Sequence, residues 1–302
     1  MKRSIPDVLR RGLESALANW PLMALRIAEN ILFAMLIIGS IIAAIVPLLV
    51  SIGFSIHIDK PEEAGPAIGT ALIEHLPLFL WIFIGALFLA LLLVVIHSFV
   101  MAGCARTFVD AERAERPKVF SMERWLSGGR HATWTVFWIY NITYGTTLIP
   151  VMVPLIIALA AMLAFRDSQA AVLVAGCLGI AIALFLCIIA CVIAAIWSLK
   201  AMILAVERDL GASEASKLAW AEAKADLGRH FGVAFILLVI SFGGAATIGM
   251  FSVMFAMPSA HDPFMSLAFA PARVVISLLQ GAFSAAVGMW MLASFAALSD
   301  RR

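Results

Sequence analysis

His97, Tyr140, Asn141 and Tyr144 are polar residues set deep in apolar sequence. His97 lies nine residues before Arg106, and Tyr140 lies nine residues after His131. At 1.5 Å per helical residue, both fall ~13 Å inside the boundary those charged residues mark. Thr143, Thr146 and Thr147 extend the layer, and Ser40 and Ser241 lie at similar depth. Such a layer has two uses. It can line a polar cavity that takes a ligand, with His97 as the ionisable group. It can also bond helix to helix, at ~0.6 kcal/mol per pair in a membrane.

Other groups offer less chemistry. Arg26 and Glu29 are spaced i, i+3 and can neutralise each other, although Glu29 could instead meet Arg130 or Arg229. His57, Asp59, Glu62, Glu63, Glu74 and His75 crowd one connection without the tight spacing of a metal site such as HExxH, which reads as a solvated acidic loop. Cys104, Cys177, Cys187 and Cys191 lie in or at the ends of apolar stretches, with no paired spacing for disulfides or zinc. There is no Ser/His/Asp set, no Walker sequence and no pair of intramembrane aspartates. The expectation is a protein that is not an enzyme and takes no metal or cofactor.

The elements that must hold these residues are six long uncharged stretches. One follows Arg26, Glu29 and Asn30 and runs to Ile58; the others are Leu76–Ala105, Ala132–Phe165, Ala170–Leu199, Phe231–Ala260 and Val274–Ser299. Each exceeds the roughly 20 residues that cross a hydrocarbon core. Backbone amides in lipid must bond within their own segment, so the stretches are helices. The 63% hydrophobic content and mean hydropathy of +1.03 exclude a soluble domain, and a net charge of +2 does not suggest nucleic acid.

The fold class is therefore all-α and polytopic, with six transmembrane helices over residues 22–302. Before them, residues 1–21 hold an amphipathic interfacial helix over 4–19. Ser4 and Asp7 form its capping-box pattern, Arg10 and Arg11 face anionic headgroups, and Asn19-Trp20-Pro21 ends it. The same helix could instead pack on the end of the bundle. With six spans both termini share one side, which carries 18 of the 21 Lys and Arg; only Lys60, Arg166 and Arg273 lie opposite. The positive-inside rule puts that side in the cytoplasm. The amino terminus lacks the pattern of a cleavable signal peptide.

The two long basic loops, 106–131 and 199–230, resemble each other. Each is expected to hold a short helix and to enter the next span at Gly-Arg-His: Gly129-Arg130-His131 and Gly228-Arg229-His230. The glycines suit left-handed helix stops, and Arg130 and Arg229 suit headgroup contacts. Within the spans, Ala175, Gly179, Ala183, Cys187, Cys191 and Ala195 form a small-residue seam for helix packing. Pro150 and Pro154 are expected to bend their span.

The segment AVERDLGASEASKLAWAEAKADLGRHFGVAFILLVI (205–240) resembles the approach to the fifth span in six-helix bacterial membrane proteins. That group includes the membrane domain of glycerophosphoryl diester phosphodiesterases and related uncharacterised families. GLESALANWPLMALRIAENI (12–31) is similar to their amino-terminal segment. Because the chain ends at Arg302, the resemblance implies a membrane domain without the hydrolase, linked to lipids or envelope maintenance. Glu214-Ala215 also resembles the coupling segment of ABC permeases, but Trp220 stands near where that segment needs glycine. The first reading is thus a non-enzymatic, lipid-associated protein of the bacterial inner membrane. Its partners would be membrane lipids and, at the cytoplasmic loops, a possible protein. The alternative is a small transporter or permease subunit with a cytoplasm-facing polar cavity.

Overall fold

Ser4 opens the first helix: its side chain accepts a hydrogen bond from the Asp7 backbone N–H at 3.4 Å and donates to the Asp7 carboxylate at 2.5 Å. Helix α1 then runs Ile5–Ala18 and stops at Asn19, and Pro21 starts α2, Pro21–Ile52. The break is tight because proline suits a first helical turn but disfavours helix in the residue before it. The structure is a computed structural model that describes residues 3–52, 76–114, 119–165, 168–256 and 268–299. The acidic connection with His57, Asp59, Glu62, Glu63, Glu74 and His75 lies outside the described residues.

The remaining helices are α3 (Leu76–Arg113), α4 (Met122–Ala164), α5 (Gln169–Arg208), α6 (Ala212–Ala225), α7 (Leu227–Ala256) and α8 (Ala270–Leu298). Six of them, α2 to α5 with α7 and α8, are long and apolar enough to cross a membrane. They expose large apolar side chains, among them Trp81, Phe88, Ile156, Leu178 and Phe242. That exposure suits a lipid solvent and would be costly in water.

The chain divides into two compact units. One comprises Met1–Leu25 with Ser98–Arg302, and the other Arg26–His97. In the larger unit α4 packs along α5, α8 packs on α7, and α1 packs against α8. Gly12 makes the last contact close: a Cβ there would lie 2.2 Å from the Ser294 Oγ. Trp290 donates from its indole N–H to the Leu9 carbonyl at 2.9 Å. Val8 and Ala16 of α1 are buried, whereas Leu17 and Trp20 are exposed. The amphipathic helix thus has one apolar strip in the unit and another outside it.

Three details differ from the sequence expectation. The second loop contains a separate helix, α6, but residues 122–131 of the first loop are the opening turns of α4. Nothing between Met122 and Ala132 breaks the backbone pattern, so loop and span share one helix. Gly129 and Gly228 are helical rather than left-handed stops. Gly129 is small for another reason: a Cβ there would meet the Phe99 ring at 2.8 Å. The seam on α5 is also partial. Gly179 and Ala183 are buried, but Cys191 is exposed and the buried positions move to Ala190 and Ala194. Steps of four residues drift around the helix by about 40° each, so a straight interface must sometimes step by three.

Candidate functional site

The four residues of the polar layer fall in different units: His97 in the smaller, Tyr140, Asn141 and Tyr144 in the larger. Within the smaller unit His97 joins the pair expected from the sequence. Arg26 bonds Glu29, and His97 Nδ1 lies 3.0 Å from an Arg26 nitrogen and 2.9 Å from a Glu29 oxygen. A proton on Nδ1 lets it donate to Glu29; without one, Nδ1 accepts from Arg26. The Glu29 side chain is only 2% exposed, so its charge is neutralised locally rather than by water.

Within the larger unit the layer largely satisfies itself. Asn141 donates to the Phe137 carbonyl at 2.8 Å, and Thr143, Thr146 and Thr147 each donate to the carbonyl four residues back. Tyr140 and Tyr144 place their ring centroids 6.2 Å apart. Back-bonding of this kind uses a helix's own carbonyls and leaves less polarity for a ligand.

A different constellation forms at the charged end of the larger unit. Glycines let α3 and α4 approach there. A Cβ at Gly103 would lie 2.6 Å from the Trp125 ring, and one at Gly128 would lie 2.5 Å from the Arg106 Cβ. This crossing brings Arg106 and Arg113 of α3 beside His131 of α4. The third wall comes from the end of α5. Asp209 adopts φ 55°, and the Leu210 N–H bonds the Ala205 carbonyl at 3.1 Å. That is a Schellman cap whose left-handed position is filled by aspartate instead of glycine. Leu210 packs against the buried cluster that includes Ala205.

The result is a cleft of about 390 Å³ lined by Arg106, Arg113, His131, Glu207 and Asp209, among others. His131 Nε2 lies 2.9 Å from Asp209 Oδ1. Arg113 donates to the Glu207 carbonyl and, with Glu207, also lines a neighbouring cleft of about 290 Å³. Arg106 pairs with Asp110 at 3.4 Å. The Oε2 of Glu207 is buried and has no hydrogen-bond partner among the described residues.

Ion pairs tie the surrounding elements to this end. Glu112 of α3 receives Arg3 at 2.5 Å and Arg11 at 3.3 Å, while Arg3 also reaches the Ala297 carbonyl of α8. Lys200, buried on α5, meets Glu222 of α6 at 2.9 Å, and Arg208 meets the same carboxylate at 3.2 Å. Burial alone would raise the Glu222 carboxyl, but the hydrogen bond and charge of Lys200, with Arg208, outweigh it and hold the carboxyl below its ordinary value.

The expected headgroup residues are arranged unequally. Arg10 is exposed beside Glu14, and Arg130 is exposed beside a depression shared with Glu123 and His131. Arg11 instead turns to Glu112, and Arg229 folds onto Asp226 at 3.8 Å with its side chain 11% exposed. Sequence reading took Arg106 only as a boundary mark and singled out none of Arg113, Glu207 and Asp209 as site residues. The available clues were small residues at 103, 128 and 129 and an acidic residue directly before Leu210-Gly211. Among the described residues no three His, Cys, Asp or Glu side chains gather as a metal would require. No family model, no curated protein and no solved structure matches this chain.

Proposed function

We propose that this integral membrane protein is a non-enzymatic, lipid-associated component of the bacterial inner membrane. Its charged end, with both termini, faces the cytoplasm and engages phospholipid headgroups. The observation that carries this reading is the cleft of Arg106, Arg113 and His131 at the end of apolar helices, where lipid phosphate meets a spanning protein. Guanidinium groups suit phosphate through their forked donors. The resemblance of residues 12–31 and 205–240 to six-helix bacterial membrane proteins, among them the membrane domain of glycerophosphoryl diester phosphodiesterases, suggests the same link to lipids. The transporter alternative draws less support, because Asn141 and the neighbouring threonines bond their own helix.

Lipid addition tests the reading. A ligand that binds only the folded state stabilises it by mass action, by about 2.7 kcal/mol at a hundred times Kd. Delipidated protein in neutral detergent should therefore melt at a higher temperature as phospholipid is added. Arg106→Gln with His131→Gln should reduce that gain. An unchanged melting temperature across the lipid titration sinks the proposal.

A further inference from the structure

Helix α6 is tied to α5 at the level where the apolar stretch of α5 ends. Trp197 lies two residues before Leu199, the last residue of that uncharged stretch. Its indole N–H donates to the Ser216 carbonyl at 2.7 Å, and its ring centroid lies 5.0 Å from that of Trp220. Trp220 is 39% exposed, and the Lys224 ammonium lies 4.9 Å from the centre of its ring. Lys217 and Lys224 are exposed and form no ion pair among the described residues, whereas Lys200 and Arg208 are both taken by Glu222. We propose that Lys217, Trp220 and Lys224 form a docking strip for an anionic phospholipid leaflet at the charged end, with the Trp220 ring at headgroup depth and the two ammonium groups on lipid phosphate. The strip shares no residue with the cleft of Arg106, Arg113 and His131, so the two assignments stand or fall separately.

Three observations select that occupant. The first is depth. A partner dissolved in water needs a surface that stands clear of the membrane, but Trp220 is held against a residue inside the apolar stretch of α5. Trp134 and Trp138 of α4, both exposed, lie two and six residues beyond Ala132, where the apolar stretch of that helix begins. Tryptophan collects at such a boundary because its ring is apolar and its N–H is polar. The second is the order of groups around α6. At about 100° per residue, Lys217 and Lys224 project about 20° apart, with Trp220 about 50° to one side and Glu214 about 70° to the other. Glu214 is exposed as well. The sequence of ring, ammonium and carboxylate around the exposed arc matches the passage from acyl chains through phosphate to water. The third is continuity. Leu227 and Phe231 follow at the start of α7 with exposed side chains, so apolar surface resumes directly after the strip. Lysine stems lie along apolar surface of this kind while their ammonium groups reach phosphate.

The test uses the full chain in lipid nanodiscs, with the native cysteines replaced by alanine and one cysteine placed at Ser213 or at Ala225, both exposed. Ser213 projects about 30° from the lysines on the Trp220 side, and Ala225 about 90° from them on the Glu214 side. A thiol-linked fluorophore at each position reports contact with a quencher attached near the headgroup of phosphatidylglycerol or, separately, of phosphatidylcholine at equal mole fraction. Lipid should quench the fluorophore at Ser213 more strongly than the one at Ala225, and the glycerol lipid should quench more strongly than the choline lipid. Each lysine should enrich the anionic lipid by up to about fivefold. Lys217→Gln with Lys224→Gln should erase the difference between the two lipids, and Trp220→Ala should reduce quenching at Ser213 by both. Thermal melting identifies any variant that fails to fold; the remaining variant and the wild-type lipid comparison then decide. Equal lipid quenching at Ser213 and Ala225, or equal access of aqueous acrylamide to both, places the strip in water, gives it to a soluble partner and overturns the inference. A glycerol-lipid preference that survives the double lysine variant overturns it as well. Neither result touches the cleft, which its own lipid titration decides.

Discussion

Asp209 holds the left-handed position that ends α5, where glycine would carry no steric penalty. Aspartate tolerates that conformation better than most side chains, and here its carboxylate also meets His131. Asp209→Gly should therefore keep the cap, whereas Asp209→Ala should lose about 1–2 kcal/mol more, readable as a lower melting temperature. Equal stability of the two variants would show that the backbone is not constrained there. Glu222 gives a second prediction at this scale. Its carboxyl is held below the ordinary 4.5, so its contribution is complete above that value and disappears as pH falls through the lowered one. Melting temperature should drop on acidification in the wild type, and Glu222→Gln should flatten that drop. At neutral pH the same variant leaves the Lys200 ammonium buried without its partner. The cost should be about 2 kcal/mol, less than the ~3–5 for a fully enclosed pair because a third of Glu222 meets solvent. Of these pairings only Arg26–Glu29 was legible in the sequence, because i, i+3 spacing alone brings it together. His97 joins that pair from 68 residues beyond Glu29, and His131 meets Asp209 across 78, separations that local periodicity does not encode.

Helices were legible because apolar length and the need for internal backbone bonding leave one solution in lipid. Their ends were less so. The 106–131 loop was expected to hold a short helix of its own, yet its residues 122–131, with Glu123, Arg124, Arg130 and His131, continue into the span as one helix, because charge alone does not interrupt a helix. The small-residue seam was legible at Gly179 and Ala183, both buried, and at Gly179 α4 comes close. A Cβ at Gly179 would lie 2.2 Å from the Ala158 Cβ, closer than packed atoms allow. Gly179→Leu should force α4 and α5 apart and lower the detergent melting temperature by several degrees, since overpacking costs about 1–3 kcal/mol. Leu173→Ala, on the same helix at a 66% exposed position, should change little. Matching melting curves for Gly179→Leu and wild type would mean the two helices can separate freely there. Cys191→Leu should be milder than Gly179→Leu, because the row has rotated to the exposed side by that turn.

Across the chain, charge placement is what supports the proposed orientation. A chain whose loops carried no charge bias would spread its basic residues over both sides, but 18 of 21 Lys and Arg fall on the same side of the six apolar stretches. Within the larger unit those ends are drawn together. Arg3 and Arg11 reach Glu112, Arg113 reaches the Glu207 carbonyl, and Lys200 and Arg208 reach Glu222. Several of the basic groups are thus fixed by partners in the folded protein, whereas a positive-inside bias of the proposed kind would act during insertion, before those partners meet. The bias should persist when the partners are removed: Glu112→Gln should weaken the attachment of α1 without inverting the protein. Cysteine labelling in intact cells checks both halves. With the native cysteines replaced by alanine, an impermeant maleimide added from outside should modify a cysteine placed at Gly65 and spare one placed at Ser127, in the wild type and in Glu112→Gln alike. Labelling at Ser127 alone would reverse the orientation, and a pattern that flips only in Glu112→Gln would make the folded ion pairs, rather than loop charge, the determinant of topology.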